Sequence, residues 1–434
     1  MFLAGPTFYG LTMFGRIAIA VLAVLAATAV PVPATASVHS GHCARIELLR
    51  VPGAERLEAA CLAELTTAGT VASGHTVAAD WAGLHDASLP QPVGVPGIQL
   101  DGYFPDSSTT NTFHGWNHDA QFVLRLPDDW NGGLIVSGSP GNRAQYANDR
   151  VVGDFALERG YAFAATDKGN TGLEFHRDGV RPGDAIMEWN DRVTQLTIAA
   201  RSVVAQRYGR PPASTLMAGL SNGGYLVRWQ LENNPWLFDG GVDWEGTLWS
   251  GEHNLLTYLP AALRAYPDDH QGMIDAGFAP DSEFLWPFHS QVYWALTQRI
   301  YRLELDPGYD GADADYDFAA RPREVHQAVR RIALTGRIGR PMITLHGTLD
   351  SLLPIAQNSD PYAAMVGGAH RERLHRYYRV AGANHVDGLV DAFPTQLRPL
   401  APCFVAAIDA MGGWLRGHPP APSATIAPHQ PCAF

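Results

Sequence analysis

The chain has 434 residues, 46% of them hydrophobic and 17% charged, a globular composition long enough to bury a large core. Its formal net charge of -12 argues against nucleic acid and anionic membrane surfaces as partners, because both demand a basic footprint. Lys168 is the only lysine; every other basic side chain is Arg or His.

Arg16 precedes an apolar run from Ile17 to Val30, and Ala34-Thr35-Ala36 supplies the small residues of a cleavage site. That is the pattern of a secretory signal, so residues 1–36 are expected to be a signal peptide and the mature protein extracellular. Met13 reads better as the start of such a signal. A retained anchor is the competing reading, but the run is short for a membrane span. All four cysteines, Cys43, Cys61, Cys403 and Cys432, lie beyond the expected cut. Four cysteines in an exported chain suggest two disulfides with three pairings open, of which proximity favours Cys43–Cys61 and Cys403–Cys432. Their spacing does not resemble a zinc site, and no metal or cofactor is expected.

Residues 37–118 form a Gly-, Ser- and Thr-rich extension, read as short strands and loops on the edge of the core. Strand candidates follow at Ala120–Leu126, Leu134–Ser137, Tyr161–Thr166 and Ser214–Ala218. Between the last two, Val193, Leu196, Ala200, Val203 and Val204 recur at helical spacing as one buried stripe. This alternation predicts a mostly parallel sheet with helices on both faces. It stops after Gly241-Val242-Asp243 and resumes at Pro341–Leu345. The catalytic core is therefore expected over 119–250 and 336–416. Residues 251–335 are expected to be an inserted helical lid over the C-terminal sheet edge, a packing subdomain being the alternative. The tail, 417–434, is proline-rich and reads as irregular.

Three motifs occupy probable strand exits in one chain order. Gly219-Leu220-Ser221-Asn222-Gly223 fits a tight strand-to-helix turn that would lift the Ser221 hydroxyl above the sheet edge. Asp350 ends His346-Gly347-Thr348-Leu349-Asp350, and His385 follows Asn384 on a short loop. A hydroxyl is a weak nucleophile until a base takes its proton and donors hold the oxyanion. The assignment is Ser221 as nucleophile, His385 as base and Asp350 as orienting acid. Asp243 and Glu245, at the preceding strand exit, compete for the acid role. His346, His370 and His375 lie before or within strands, poorly set to reach Ser221. The backbone N–H of Asn222 is the first expected oxyanion donor. The second should come from Gly138-Ser139-Pro140-Gly141-Asn142, with Ser139 preferred and Gly141 or Asn142 as alternatives, since Pro140 has no N–H.

Two further stretches read as structural. Asp306, Asp310, Asp313, Asp315 and Asp317 are oxygen-rich, but their spacing misses the EF-hand pattern, so a solvated acidic loop is expected over calcium. Thr166-Asp167-Lys168-Gly169-Asn170-Thr171-Gly172 lacks phosphate-loop spacing and reads as a turn near the active-site rim.

These residues resemble the α/β-hydrolase superfamily over roughly 120–415. Residues 167–172 are similar to its D-x-R-G-x-G turn, and 346–350 to its H-G-x-x-D acid turn. More narrowly, Leu126-Pro127-Asp128-Asp129-Trp130-Asn131-Gly132, Gly160-Tyr161-Ala162 and Thr166-Asp167 resemble the secreted tannase and feruloyl esterase family. Extracellular hydrolases of hydroxyalkanoate oligomers are also similar. In the tannase family a cysteine precedes the nucleophile and its partner follows the histidine; Leu220 and Val386 stand there in this chain. With the motifs and the signal pattern, the expectation is a secreted serine hydrolase of small-molecule or oligomeric carboxylic esters, with an apolar or aromatic substrate suggested by the aromatic-rich insertion and a hydroxyalkanoate one by the resemblance. A peptidase of the same fold, gripping a peptide terminus through Glu245 or Glu252, is the first alternative. A non-catalytic binding module is the second.

Overall fold

Among the described residues of the computed structural model, 43–434, ten strands form one sheet. In chain order they are β1 (Arg56–Leu62), β2 (Gly97–Tyr103), β3 (Gln121–Pro127), β4 (Gly133–Gly138) and β5 (Ala162–Thr166). They continue as β6 (Ser214–Leu220), β7 (Gly240–Trp244), β8 (Met342–Gly347), β9 (His375–Val380) and β10 (Ala424–Ile426). Their order across the sheet is β1-β2-β3-β5-β4-β6-β7-β8-β9-β10. The pairings from β1 to β5 are antiparallel, and every pairing from β5 onward through β10 is parallel.

Side-chain alternation divides the core into two apolar layers. Phe122, Leu124 and Leu126 of β3 face one layer and Val123 the other; Leu134 and Val136 of β4 oppose Ile135 in the same way. The helices Asp184–Tyr208 and Asn222–Asn233 cover the first layer, and Ala401–Leu415 covers the second. The stripe Val193, Leu196, Ala200, Val203 and Val204 is fully buried. At about 1.5–3 kcal/mol for each buried Val or Leu, packing outweighs end effects in holding this helix, which starts after Gly183 without a side-chain cap. It stops at Gly209, whose φ of 73° turns the chain and whose N–H returns to Ala205 O.

The extension is part of the sheet: β1 and β2 continue it as an antiparallel edge beside β3. The tail is not wholly irregular, since Ala424–Ile426 pairs parallel to β9. Three residues carry too little periodicity to be read as a strand, and a neighbouring edge supplies the pairing. The disulfides are Cys43–Cys61 and Cys403–Cys432. Residues 251–335 are mainly helical, with Trp294 buried and donating its Nε1–H to Ser351 O at 2.8 Å. No helix among the described residues is long and apolar enough to cross a membrane. The expected signal segment, 1–36, lies outside them.

Candidate active site

Ser221 follows β6 and opens the Asn222–Asn233 helix with φ 61° and ψ -120°. The turn is tight enough to require glycine on both sides. A Cβ at Gly219 would meet the Gly223 carbonyl carbon at 2.7 Å, and one at Gly223 would meet Gly138 O at 2.6 Å. The strain of the serine conformation, of order 1–3 kcal/mol, is met by the Ser221 N–H bond to Trp244 O at 2.9 Å.

His385 Nδ1 lies 2.8 Å from Asp350 Oδ2, so the expected base and acid meet directly. With Nδ1 held, Nε2 is the ring nitrogen left for a hydroxyl, and His385 and Ser221 line the same cavity. Trp244 Nε1–H donates to His385 O at 3.2 Å and anchors the loop. Asp350 Oδ1 accepts the N–H groups of Leu352 and Leu353, each at 2.8 Å, and Oδ2 also lies 3.0 Å from His346 Nε2. Burial opposes its ionisation, but His385 and His346 prevail and hold the carboxyl well below the usual carboxylate range. Burial would likewise lower His385, and the Asp350 carboxylate, with Glu245 beside it, overrides burial and raises the imidazole.

The two competing acids separate. Asp243 is bound to Arg228 Nε (2.7 Å), Thr344 Oγ1 (2.9 Å) and the Gly246 N–H (2.8 Å), and is thus committed to the sheet. Glu245 instead reaches the imidazole: its Oε2 lies 3.0 Å from His385 Nδ1. His346, set aside on sequence, sits behind Asp350. Its Nε2–H donates to Leu353 O at 2.9 Å, and Nδ1 accepts from Ser359 Oγ at 2.6 Å. Sequence signals this role only in that His346 and Asp350 stand four residues apart across the turn after β8.

The expected oxyanion donors differ in whether their N–H groups are free. The helix that starts at Asn222 presents free N–H groups at its N-terminus, beside Ser221. The Asn222 side chain donates to Gly141 O (3.0 Å) and Tyr301 Oη (2.6 Å) and accepts from Thr247 Oγ1 (2.9 Å). The Ser139 N–H, the preferred second donor, is spent: it donates to Thr166 O at 3.1 Å. The Gly138–Thr166 register carries the β4–β5 ladder one residue further than the sequence suggests. Among the described residues the Gly141 and Asn142 N–H groups have no hydrogen-bond partner, and both residues line the cavity. The Ser139 hydroxyl donates to Arg143 O at 2.6 Å and receives the Lys168 ammonium at 2.5 Å. The lone lysine, fully buried, thus ties the 166–172 turn to this loop.

The cavity has a volume of about 340 Å³. The core contributes Ser221, Asn222, His385, Leu220 and Val386, and the 251–335 insertion contributes Leu255, Tyr293, Leu296, Thr297, Ile300 and Tyr301. Gly83 and Leu84 bring the N-terminal extension to the same wall, which sequence did not suggest. Arg143 pins this piece through Asp80 O (3.2 Å) and Ala82 O (3.0 Å), and the Asp387 N–H holds Leu84 O at 3.3 Å.

Glu245, His346 and Asp350 bring three ligand-type atoms within 4.8 Å of one another. All three groups already bond to the protein as described, and the arrangement is that of a charge-sharing cluster. In the acidic stretch Asp306 pairs with Arg321 at 2.6 Å and Asp313 with Arg302 at 2.7 Å, so arginines neutralise two of its five carboxylates. The 166–172 turn is structural, Asp167 accepting from Asn111 Nδ2 (2.7 Å) and from the Gln121 (2.9 Å) and Gly169 (2.9 Å) N–H groups.

Two family models match separate parts of the chain. The model for tannase and feruloyl esterase matches residues 108–241, which include Ser221. The model for 3HB-oligomer hydrolase matches residues 302–433, which include Asp350 and His385. The D-(-)-3-hydroxybutyrate oligomer hydrolase of Azoarcus sp. (strain BH72) is 33% identical over 122 residues, 26% of this chain and 17% of that protein. A probable feruloyl esterase of Arthroderma benhamiae is 28% identical over 190 residues, 36% of this chain and 35% of that protein. The mono(2-hydroxyethyl) terephthalate hydrolase of Piscinibacter sakaiensis is 28% identical over 141 residues and is matched over 23% of its length. The chain thus aligns with about a third or less of each of these curated relatives. Feruloyl esterase B from Aspergillus oryzae superposes with a TM-score of 0.53 at 11% identity, over 86% of this chain and 89% of that one. An esterase from the same organism gives a TM-score of 0.52 at 15% identity, over 86% and 88%. The chain has the α/β-hydrolase fold, similar to tannase and feruloyl esterase in the part that bears Ser221 and to 3HB-oligomer hydrolase in the part that bears Asp350 and His385.

Proposed function

We propose that the protein is a secreted serine hydrolase of carboxylic esters. The observation that carries this reading is the shared cavity of Ser221 and His385, with Asp350 at 2.8 Å behind the imidazole. His385 takes the Ser221 proton as the hydroxyl attacks the ester carbonyl. The oxyanion is held by the Asn222 N–H and by Gly141 or Asn142, which replace Ser139 in this reading. The alcohol leaves with the proton from His385, and water activated by the same imidazole releases the acid from the acyl-enzyme. An apolar cavity of this size suits one acyl or alcohol moiety of a small or oligomeric ester, aromatic or hydroxyalkanoate. The relatives that act on hydroxybutyrate oligomers and terephthalate monoesters support that class. The disulfides support an oxidising, extracellular destination, and the insertion is proposed to serve as the lid. Glu245, offered above as a grip for a peptide terminus, is buried and engaged with His385, which disfavours the peptidase alternative.

The test is turnover on a panel of short-chain, hydroxyalkanoate, aromatic and triglyceride esters, with aminoacyl anilides alongside. Turnover of at least one of the first three classes, exceeding any on anilides, is expected; anilide preference would contradict the proposal. The pH profile adds a second expectation. His385 must be neutral to accept the serine proton, and its neighbours raise its pKa, so activity is lost as pH falls through that raised value. The groups around it are Asp350, Glu245, His346 behind Asp350, and His289 from the insertion. The acidic limb of kcat/KM should therefore lie above the ordinary imidazole value of about 6.5. A limb at or below that value would contradict this assignment.

A further inference from the structure

We propose that Glu245 is a second acid behind the base, a positioning residue that shares the Nδ1 edge of His385 with Asp350 and takes over its role when Asp350 is lost. The inference rests on the reading of Ser221 and His385 as nucleophile and base. Four observations carry it. Glu245 Oε2 lies 3.0 Å from His385 Nδ1, nearly as close as Asp350 Oδ2 at 2.8 Å. The other oxygen, Oε1, accepts the Gly347 N–H at 2.5 Å, which fixes the carboxyl from that end. The residue is fully buried, and its Oε2 has no hydrogen-bond partner. Its backbone takes φ 51°, a left-handed conformation unusual for a side chain of this size, just after β7. Strain at a buried carboxyl aimed at the candidate base is the kind of feature that marks function.

The chemistry follows from counting protons. Nδ1 carries one N–H, and it points at Asp350, so Glu245 Oε2 sits beside the ring without receiving it. Asp350 accepts from two backbone N–H groups and the His385 imidazole, with His346 Nε2 3.0 Å from the same oxygen, whereas Glu245 accepts one backbone N–H. Two carboxylates against one imidazole repel each other, so one of them keeps its proton. Glu245 is that one: burial and the Asp350 charge push it well above the usual carboxyl range. The resting arrangement is a neutral Glu245, an anionic Asp350 and the Nδ1–H tautomer of His385. Replace Asp350 by Asn and the charge that kept Glu245 protonated is gone. Glu245 then releases its proton to solvent, its carboxylate accepts the Nδ1–H, and the productive tautomer survives.

The experiment is a double-substitution cycle on the full chain with Asp350→Asn, Glu245→Gln and both together. A lone acid replaced by its amide costs about 10⁴ in turnover because the tautomer is lost. With Glu245 in reserve, D350N is expected to lose about 10²-fold, E245Q less than 10-fold, and the double variant about the full 10⁴. A purely structural Glu245 predicts that D350N equals the double variant, and that equality would overturn the proposal. The low-field proton resonance of the His385 Nδ1–H is read on the same four proteins and needs no ester turnover. It should persist in D350N and vanish only in the double variant; loss in D350N alone would also overturn the proposal. If the wild type turns over no ester, this resonance still reports on Glu245, so the two readings fail separately. Far-ultraviolet circular dichroism confirms that each compared variant is folded, and E245D in the D350N background replaces any variant that is not.

Discussion

Replacing Ser221 by alanine is expected to lower kcat on a nitrophenyl acyl ester by about 10⁶, leaving the residual catalysis of oxyanion donors and binding. The size follows from the role. Without the hydroxyl no acyl-enzyme forms, and the remaining groups can only polarise the carbonyl for attack by water. The fold should survive, because the turn is dictated by Gly219 and Gly223 and by the Ser221 N–H, none of which the change removes. Loss of one hydroxyl relieves no crowding and exposes no buried partner, so the thermal midpoint should move by less than the change in activity would suggest. A variant that keeps a tenth of wild-type turnover would refute the nucleophile.

The largest expected effect on stability lies behind the site. Arg228, fully buried on the Asn222–Asn233 helix, binds Asp243 Oδ2 at 2.7 Å and Ser359 Oγ at 2.7 Å, and stacks over Tyr362 at 4.4 Å. Ser359 in turn donates to His346, which supports Asp350. Arg228→Met should cost about 3–5 kcal/mol, read as a fall in the denaturant midpoint, because it strands the Asp243 carboxylate without its cation. Asp243→Asn in the same chain should restore part of the loss, since a buried charge without a partner is worse than none. A single-variant loss within 1 kcal/mol of zero would show that the Asp243 site tolerates an unpaired carboxylate.

What the sequence made legible depended on how local the cause was. Gly219, Ser221 and Gly223 could be read because a tight turn needs glycine for steric reasons that hold in any fold. Asp350 and His385 could be read because strand exits and chain order are properties of the sequence itself. Ser139 shows where this stops: which N–H of a loop stays free depends on the register of the neighbouring ladder, here the reach of Thr166 O. Glu245 reads from sequence as a rival acid or a peptide-terminus grip, not as a second partner of His385, because a left-handed φ at a glutamate leaves no mark in composition. Gly83 and Leu84 were missed because the extension reaches the cavity through Arg143 and Asp387, contacts made across long stretches of chain. The stripe on the Asp184–Tyr208 helix was visible throughout, since periodicity survives without tertiary knowledge.

The most direct test of the convergence of Ser221, His385 and Asp350 is to react the intact protein with a fluorophosphonate and locate the adduct by tandem mass spectrometry. The account predicts one phosphonylated residue, Ser221, with labelling that slows as His385 becomes protonated. An adduct on a different serine, or none under conditions that label a control serine hydrolase, would contradict it.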